Sequence, residues 1–485
     1  MIEKIKRLGS DTAVYGISTI LGRFLTFFLT PFYTHLLFPE DLGIVATMYA
    51  YIAFLNVVYG HGMESAYMKY VSTLEIGTRK QNFTVAFVSV ALVSLLLSGL
   101  ALLFRGAVAD LVDLPERFVS VVPYAAGILF CDALAVVPFA ELRMSQKARR
   151  FAAIKLTGIV ANVACNLVLL LHFHAGVEGI FLSNLLSNGL VVLLLLPVIV
   201  RNWDRTPVKA LYGALLRFGL PYVPAGLAAM MIQVINRPIL EALKGRAAVG
   251  VFQANYRLGI FMMLLVSMFD FAWRPFFLTH AADSDAKPLF ARIFTYVVLV
   301  FTLVFLLLSF FLGDVVRAPI FAGRALIAPA YWGGLEIVPV ILLAYLFLGV
   351  YNNLVAGVYI EKKTAYLPAI TIGAAAVNVA ANYLLIPPLG LMGAGLATLA
   401  SYVVMAASIY AVVQRIYPVE YEWGRVTKIA LSALAAYLPV ALLPEQAIGL
   451  AGRAGLLAGF VGLMFLFRFF TRGELEGLRR LFRPK

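Results

Sequence analysis

The chain has 485 residues, 62% of them hydrophobic and 13% charged, with a mean hydropathy of +0.91; a soluble chain is nearer half apolar and a quarter charged, which excludes a soluble globular protein. A net charge of +14 would suit nucleic acid, but the basic residues fall mainly in short stretches between apolar runs, a pattern of membrane orientation that leaves no polyanion groove. Both cysteines, Cys131 and Cys165, lie inside apolar runs and no His or Cys set has metal spacing, so neither a structural disulfide nor a metal site is expected.

Apolar runs of about twenty residues recur from end to end, each long enough to cross a bilayer. Lipid offers no hydrogen bonds, so spans must be helices or a closed barrel. Barrel strands alternate with period two; these runs are continuously apolar, so they are helices. In chain order the predicted spans are 10–37, 41–66, 81–104, 118–142, 151–173, 177–200, 212–240, 247–273, 289–312, 335–359, 365–386, 390–414, 426–443 and 448–470. That makes about fourteen, an all-α integral membrane protein. The polar N-terminus has no cleavable signal pattern, so the first span is expected to serve as the targeting signal. Breaker-rich turns, Phe38-Pro39-Glu40-Asp41 and Pro387-Pro388-Leu389-Gly390, separate neighbouring spans. With the N-terminus inside, about 28 Lys and Arg fall on the inner side and about 7 on the outer, which predicts two cytoplasmic termini. The longest outward connection is expected over 313–334.

The chain repeats itself. Thr30-Pro31, Leu42-Gly43 and Tyr49 match Arg237-Pro238, Val249-Gly250 and Tyr256 at one constant offset. Glu64-Ser65-Ala66-Tyr67 resembles Asp270-Phe271-Ala272-Trp273. Asn162-Val163-Ala164-Cys165-Asn166 with Gly176 and Gly179 is echoed by Asn378-Val379-Ala380-Ala381-Asn382 with Gly390 and Gly393. Each match pairs a span with the one six later, so the halves are parallel repeats about an axis along the membrane normal. The expected domains are an N-lobe over 1–200, a basic cytoplasmic linker over 201–211, a C-lobe over 212–416, and two added spans with a basic tail over 417–485. Transporters with such repeats bind substrate near the midplane, where the repeats meet.

Charges within the spans carry the functional reading. Arg23 lies midway along the first span, on one face with Thr12, Gly16, Thr19, Thr26, Thr30 and Tyr33. Such a polar stripe has no use in lipid, and an intramembrane charge is costly and functional by default. Arg257, with Gln253 one turn before it, sits at similar depth in the eighth span. Arg237 is nearer the outer end of the seventh and either shares the cavity or snorkels to the interface. Tyr49, Asn56 and Glu64 share a face of the second span that is expected to line the cavity, with Asn56 a substrate-binding candidate beside Arg23, Thr26, Arg237, Gln253 and Arg257. Asp132, in the fourth span, is either a proton or cation site or the partner of an arginine. Glu64 and Asp270, at equivalent repeat positions, are further coupling candidates, although Asp270 can pair with Arg274 one turn on. The Asn162/Asn166 and Asn378/Asn382 pairs suit interhelical hydrogen bonds. No phosphate-cradling loop, metal set or nucleophile elbow is present, so neither an ATP-driven pump nor an enzyme is expected.

The span number, the two-lobe repeat and the Asn-x-x-x-Asn, Gly-x-x-Gly element resemble the polysaccharide-biosynthesis flippases. These include the O-antigen and lipid II flippases of the multidrug/oligosaccharidyl-lipid/polysaccharide exporter superfamily. The resemblance covers essentially the whole chain. It implies a MATE-like, lobe-rocking fold in the bacterial cytoplasmic (inner) membrane, a cationic central cavity, and a sugar-bearing undecaprenyl pyrophosphate as substrate. It also implies membrane lipids and polymerases or glycosyltransferases of the same pathway as partners. Arg23 and Arg257 match positions where such flippases carry cavity arginines. No cofactor is expected beyond a coupling H+ or Na+ gradient. The alternatives are a cation-coupled multidrug exporter of the same superfamily, a membrane-embedded polysaccharide polymerase or ligase, and a non-transporting scaffold. Drug exporters usually keep acids where this chain has arginines, and a polymerase needs a large outward loop.

Overall fold

A computed structural model describes residues 22, 24, 25, 27–206, 208–443, 448–470 and 474. The described helices, in chain order, are α1 (Leu29–Leu36), α2 (Pro39–Gly60), α3 (Met63–Thr73), α4 (Arg79–Leu103), α5 (Arg105–Leu111), α6 (Val121–Met144), α7 (Ala148–Leu167) and α8 (Gly176–Asn202). They continue with α9 (Lys209–Gly219), α10 (Tyr222–Val234), α11 (Asn236–Lys244), α12 (Arg246–Tyr256), α13 (Ile260–His280) and α14 (Ala286–Arg317). The last six are α15 (Val338–Leu354), α16 (Ala356–Ile360), α17 (Tyr366–Leu389), α18 (Leu391–Ile416), α19 (Trp423–Leu442) and α20 (Leu450–Leu466). Among the described residues 12 helical stretches are long and apolar enough to cross a membrane, and α20 is a shorter apolar helix. Half of the expected first span lies outside the described residues. The fold is the all-helical one anticipated.

Local chemistry sets the helix ends. Pro39 opens α2, where its missing N–H costs nothing, with Glu40 and Asp41 in the first turn. Thr78 and Gln81 form a reciprocal capping box at the start of α4. Between α2 and α3, His61 (φ 31°) and Gly62 (φ 74°) are left-handed. Only glycine adopts that conformation freely, and a Cβ on Gly62 would collide with the carbonyl of Gly219. Both ring nitrogens of His61 are satisfied there, by the Tyr59 carbonyl at 2.9 Å and the Ser89 hydroxyl at 3.0 Å.

Two expectations about connections are corrected. Helix α14 runs on to Arg317, and a 3-10 turn begins at Pro329, so the long connection shrinks to 318–328. The reason is that Asp314 is taken up by the buried Arg453, at 2.8 and 3.1 Å, and need not leave the helix for water. Pro387 and Pro388 lie in the last turn of α17, not beyond it; the break falls at Gly390, with φ 56°.

By packing, the chain divides into one unit of residues up to Ile260 with Ile327–Gly334 and Thr371–Ser401, and a second of Phe261–Leu326, Leu335–Ile370 and Tyr402 onward. This division differs from the lobes drawn on the repeat, which follow internal similarity. In the first unit α2 and α12 approach at their N-terminal ends so closely that a Cβ on Gly43 would strike the carbonyl of Arg246. One on Gly250 would strike the carbonyl of Pro39. Arg246 precedes Gly250 by the same four residues as Pro39 precedes Gly43, so the contact is reciprocal and a local two-fold axis passes between the helices. Arg246 also pairs with Asp113 at 2.8 Å and Glu241 at 3.0 Å, and Arg117 pairs with Asp41 at 3.0 Å. In the second unit, Trp273, Phe277 and Phe290 form an aromatic core, with the Trp273 indole donating to the Asn353 carbonyl at 3.0 Å.

Candidate functional site

Arg257 opens the 3-10 turn between α12 and α13. Its guanidinium is half-buried, 3.5 Å from the Thr30 hydroxyl and 5.4 Å above the Tyr33 ring. Among the described residues no carboxylate lies within ion-pair distance of it. The Tyr33 hydroxyl donates to Asn166 at 2.9 Å, and Asn166 donates back to the Asn162 carbonyl at 2.9 Å. Arg237 is 7% exposed. Its Nε donates to Gln253 at 2.8 Å, a terminal nitrogen donates to the Gln233 carbonyl at 2.5 Å, and the guanidinium lies 5.0 Å above the Tyr256 ring. The structure thus brings Arg237 and Gln253 together and sets Arg257 against the Thr30–Tyr33 face of α1. Arg23 and Thr26, expected on that face, lie outside the described residues.

Asp132, on α6, is held by two amides. Asn56 of α2 donates at 3.2 Å to one oxygen and Asn188 of α8 at 2.8 Å to the other. A cavity of about 310 Å³ opens beside it, lined among the described residues by Asp132, Lys155, Asn162, Asn184, Ser187 and Asn188 together with Cys131 and apolar neighbours. Asn184 donates to the Tyr49 hydroxyl at 2.8 Å, and Tyr49 stacks on Phe181 with ring centres 5.0 Å apart. Asn162 donates to Ser187 at 3.2 Å. A continuous polar chain therefore links the Tyr33 face below Arg257 to the Asp132 cavity.

The other two coupling candidates are already neutralised. Glu64 pairs with Arg143, and Asp270 with Arg274 at 3.1 Å, one turn apart on α13. The Asn378/Asn382 pair is buried: Asn378 donates to Ser401 at 2.8 Å and Asn382 to the Asn378 carbonyl at 2.8 Å. Sequence reasoning missed Asn184 and Asn188. Their signal is two amides one turn apart, with Ser187 between them, in an otherwise apolar run. Lys155 counted only as an orientation charge, yet it lies on α7 at the cavity wall. In the second unit an apolar cavity of about 700 Å³ lies among α14, α15, α18 and α19.

Residues 33–272 match the family described as polysaccharide biosynthesis protein. No curated protein matches the chain. Among solved structures, a lipid II flippase, MurJ, in an inward closed conformation is similar with TM-score 0.75 at 14% identity, covering 97% of this chain and 100% of that one. An inward-facing multidrug resistance MATE family transporter of the MOP superfamily aligns with TM-score 0.65 at 16% identity, over 81% and 94% of the chains. A MOP superfamily transporter from Pyrococcus furiosus, described by a binding pocket of reverse polarity, aligns with TM-score 0.59 at 16% identity, over 84% and 95%. Over residues 33–272 the chain thus matches the polysaccharide biosynthesis protein family, and over nearly its whole length it has the multi-pass fold of the MOP superfamily flippases and transporters.

Proposed function

We propose that the chain flips an undecaprenyl-pyrophosphate-linked oligosaccharide, an O-antigen-like unit, from the inner to the outer leaflet of a bacterial cytoplasmic membrane by alternating access. Arg257 carries this reading. Its guanidinium rests on a hydroxyl and an aromatic face, with no carboxylate beside it among the described residues. An intramembrane charge without a counter-charge is expensive, and a substrate anion supplies one. A guanidinium fork matches phosphate oxygens, and in a partly dry site such contacts gain strength. Arg237 with Gln253 adds a second cationic group, and Arg23 and Thr26 are assigned to the same head-group site.

The reciprocal contact of Gly43 and Gly250 is a closure that alternating access must open; the positive-inside bias assigns it to the outer side. If a H+ or Na+ gradient drives the cycle, Asp132 carries the coupling, since Glu64 and Asp270 already hold arginines. A multidrug exporter for cations is the second reading, and Asp132 is the feature that favours it. The chain is read as a transporter and not as an enzyme, working with glycosyltransferases and a polymerase of the same pathway. In vesicles loaded with an undecaprenyl-pyrophosphate glycan, Arg257→Ala is expected to abolish translocation at normal membrane abundance. Arg257→Lys rescues only in part, because it keeps charge and loses the fork. Wild-type translocation by Arg257→Ala, or undiminished efflux of a cationic dye, overturns the flippase reading.

A further inference from the structure

The cavity beside Asp132 is far larger than a bound proton or a bare cation needs. Its volume of about 310 Å³ would take roughly ten waters at ~30 Å³ each. That is the lower end of the ~300–1,000 Å³ typical of small-molecule sites. Among its described walls the carboxylate of Asp132 and the ammonium of Lys155 have opposite charges. Their formal sum is zero, so the described walls carry no net charge. The remaining polar lining is Asn162, Asn184, Ser187 and Asn188: three carboxamides and a hydroxyl, each able to donate and accept. Both Asp132 oxygens already accept one amide and keep further lone pairs for donors. Donors and acceptors mixed in this way, without net charge, complement a ligand dense in hydroxyl groups. Hydrogen bonds also join the cavity wall to the residues under Arg257: Ser187 accepts from Asn162, Asn162 accepts from Asn166, and Asn166 accepts from Tyr33, whose ring lies below the Arg257 guanidinium.

We propose that this cavity is a glycan subsite, taking one or two uncharged sugar residues of the head group while the pyrophosphate is held at Arg257. The subsite rests on the reading of Arg257 as the pyrophosphate site. Because it lies off the arginine, it selects the sugar without setting the basal affinity for the lipid pyrophosphate.

Cys131 is a built-in reporter, since it lines the cavity and the only other cysteine is Cys165. In the Cys165→Ala protein in nanodiscs, Cys131 alkylation by N-ethylmaleimide is timed with two probes, undecaprenyl pyrophosphate and the same lipid bearing a neutral disaccharide. Native mass spectrometry reads binding of each. The glycosylated lipid is expected to slow alkylation and the sugar-free lipid to leave it nearly unchanged. Asn188→Leu, and independently Lys155→Met, should lower affinity for the glycosylated lipid about tenfold, the loss of one good polar contact, and spare the sugar-free lipid. Equal protection by both lipids, or protection by NaCl alone, overturns the subsite and leaves the flippase reading standing. Failure of either lipid to bind overturns the flippase reading, and the subsite with it.

Discussion

The guanidinium of Arg257 rests on Thr30 and Tyr33, whereas those of Arg143, Arg246 and Arg453 rest on carboxylates. That difference is what supports the proposal of Arg257 as the group that meets the substrate anion, while the other three hold helices together. The same contrast applies to the acids. Removing the charge from Glu64 or Asp270 would strand an arginine, while Asp132 accepts hydrogen bonds from two amides. Asp132→Asn preserves shape and leaves an oxygen for one amide, but cannot exchange a proton or neutralise a cation. Translocation by this variant is expected to persist and to stop responding to an imposed proton or sodium gradient. An unchanged gradient response in vesicles would assign Asp132 a purely structural role. The intramembrane charges were legible as residue types, because any charge in an apolar run stands out. Their partners were not, since Asn56, Asp132 and Asn188 come from three different helices.

At the scale of the helix, the sequence repeat foretold that Gly43 and Gly250 occupy matching places, and the structure shows them in mutual contact. Helix backbones approach this closely only where side chains are absent, and packed interiors do not yield to an added methyl group. Gly250→Val should therefore force α2 and α12 apart at their N-terminal ends. A cysteine placed at Thr47, buried one turn deeper in α2, in a protein without Cys131 and Cys165, reports the opening. An impermeant maleimide added outside is expected to label it several-fold faster in the Gly250→Val background, with translocation reduced. Equal labelling rates in correctly folded protein would remove this contact from the transport cycle. Helix ends were legible to within a few residues where a breaker or cap coincides with them, as at Pro39 and Thr78. They were missed where a tertiary partner extends the helix, as Arg453 does for α14.

For the whole molecule, orientation is the property still to be measured. The basic bias predicts that the connection after α14 faces out and the one after α13 faces in. In a cysteine-free background, Ile320→Cys should label with an impermeant reagent from outside intact cells, and Ser284→Cys only after permeabilisation. The reverse pattern would invert the topology and with it the assigned side of the α2–α12 closure. Composition and hydrophobic run length by themselves determined the helical membrane class, because the bilayer demands long apolar helices whatever their neighbours. The internal repeat matched Gly43 with Gly250, because duplicated segments keep their order in the chain. Only the tertiary structure decided which polar groups meet: Asn184 with Tyr49, Tyr33 with Asn166, two amides on Asp132. Those contacts join helices far apart in sequence, and a buried polar group is satisfied by whichever donor the fold brings within about 3 Å, not by its neighbours in the chain.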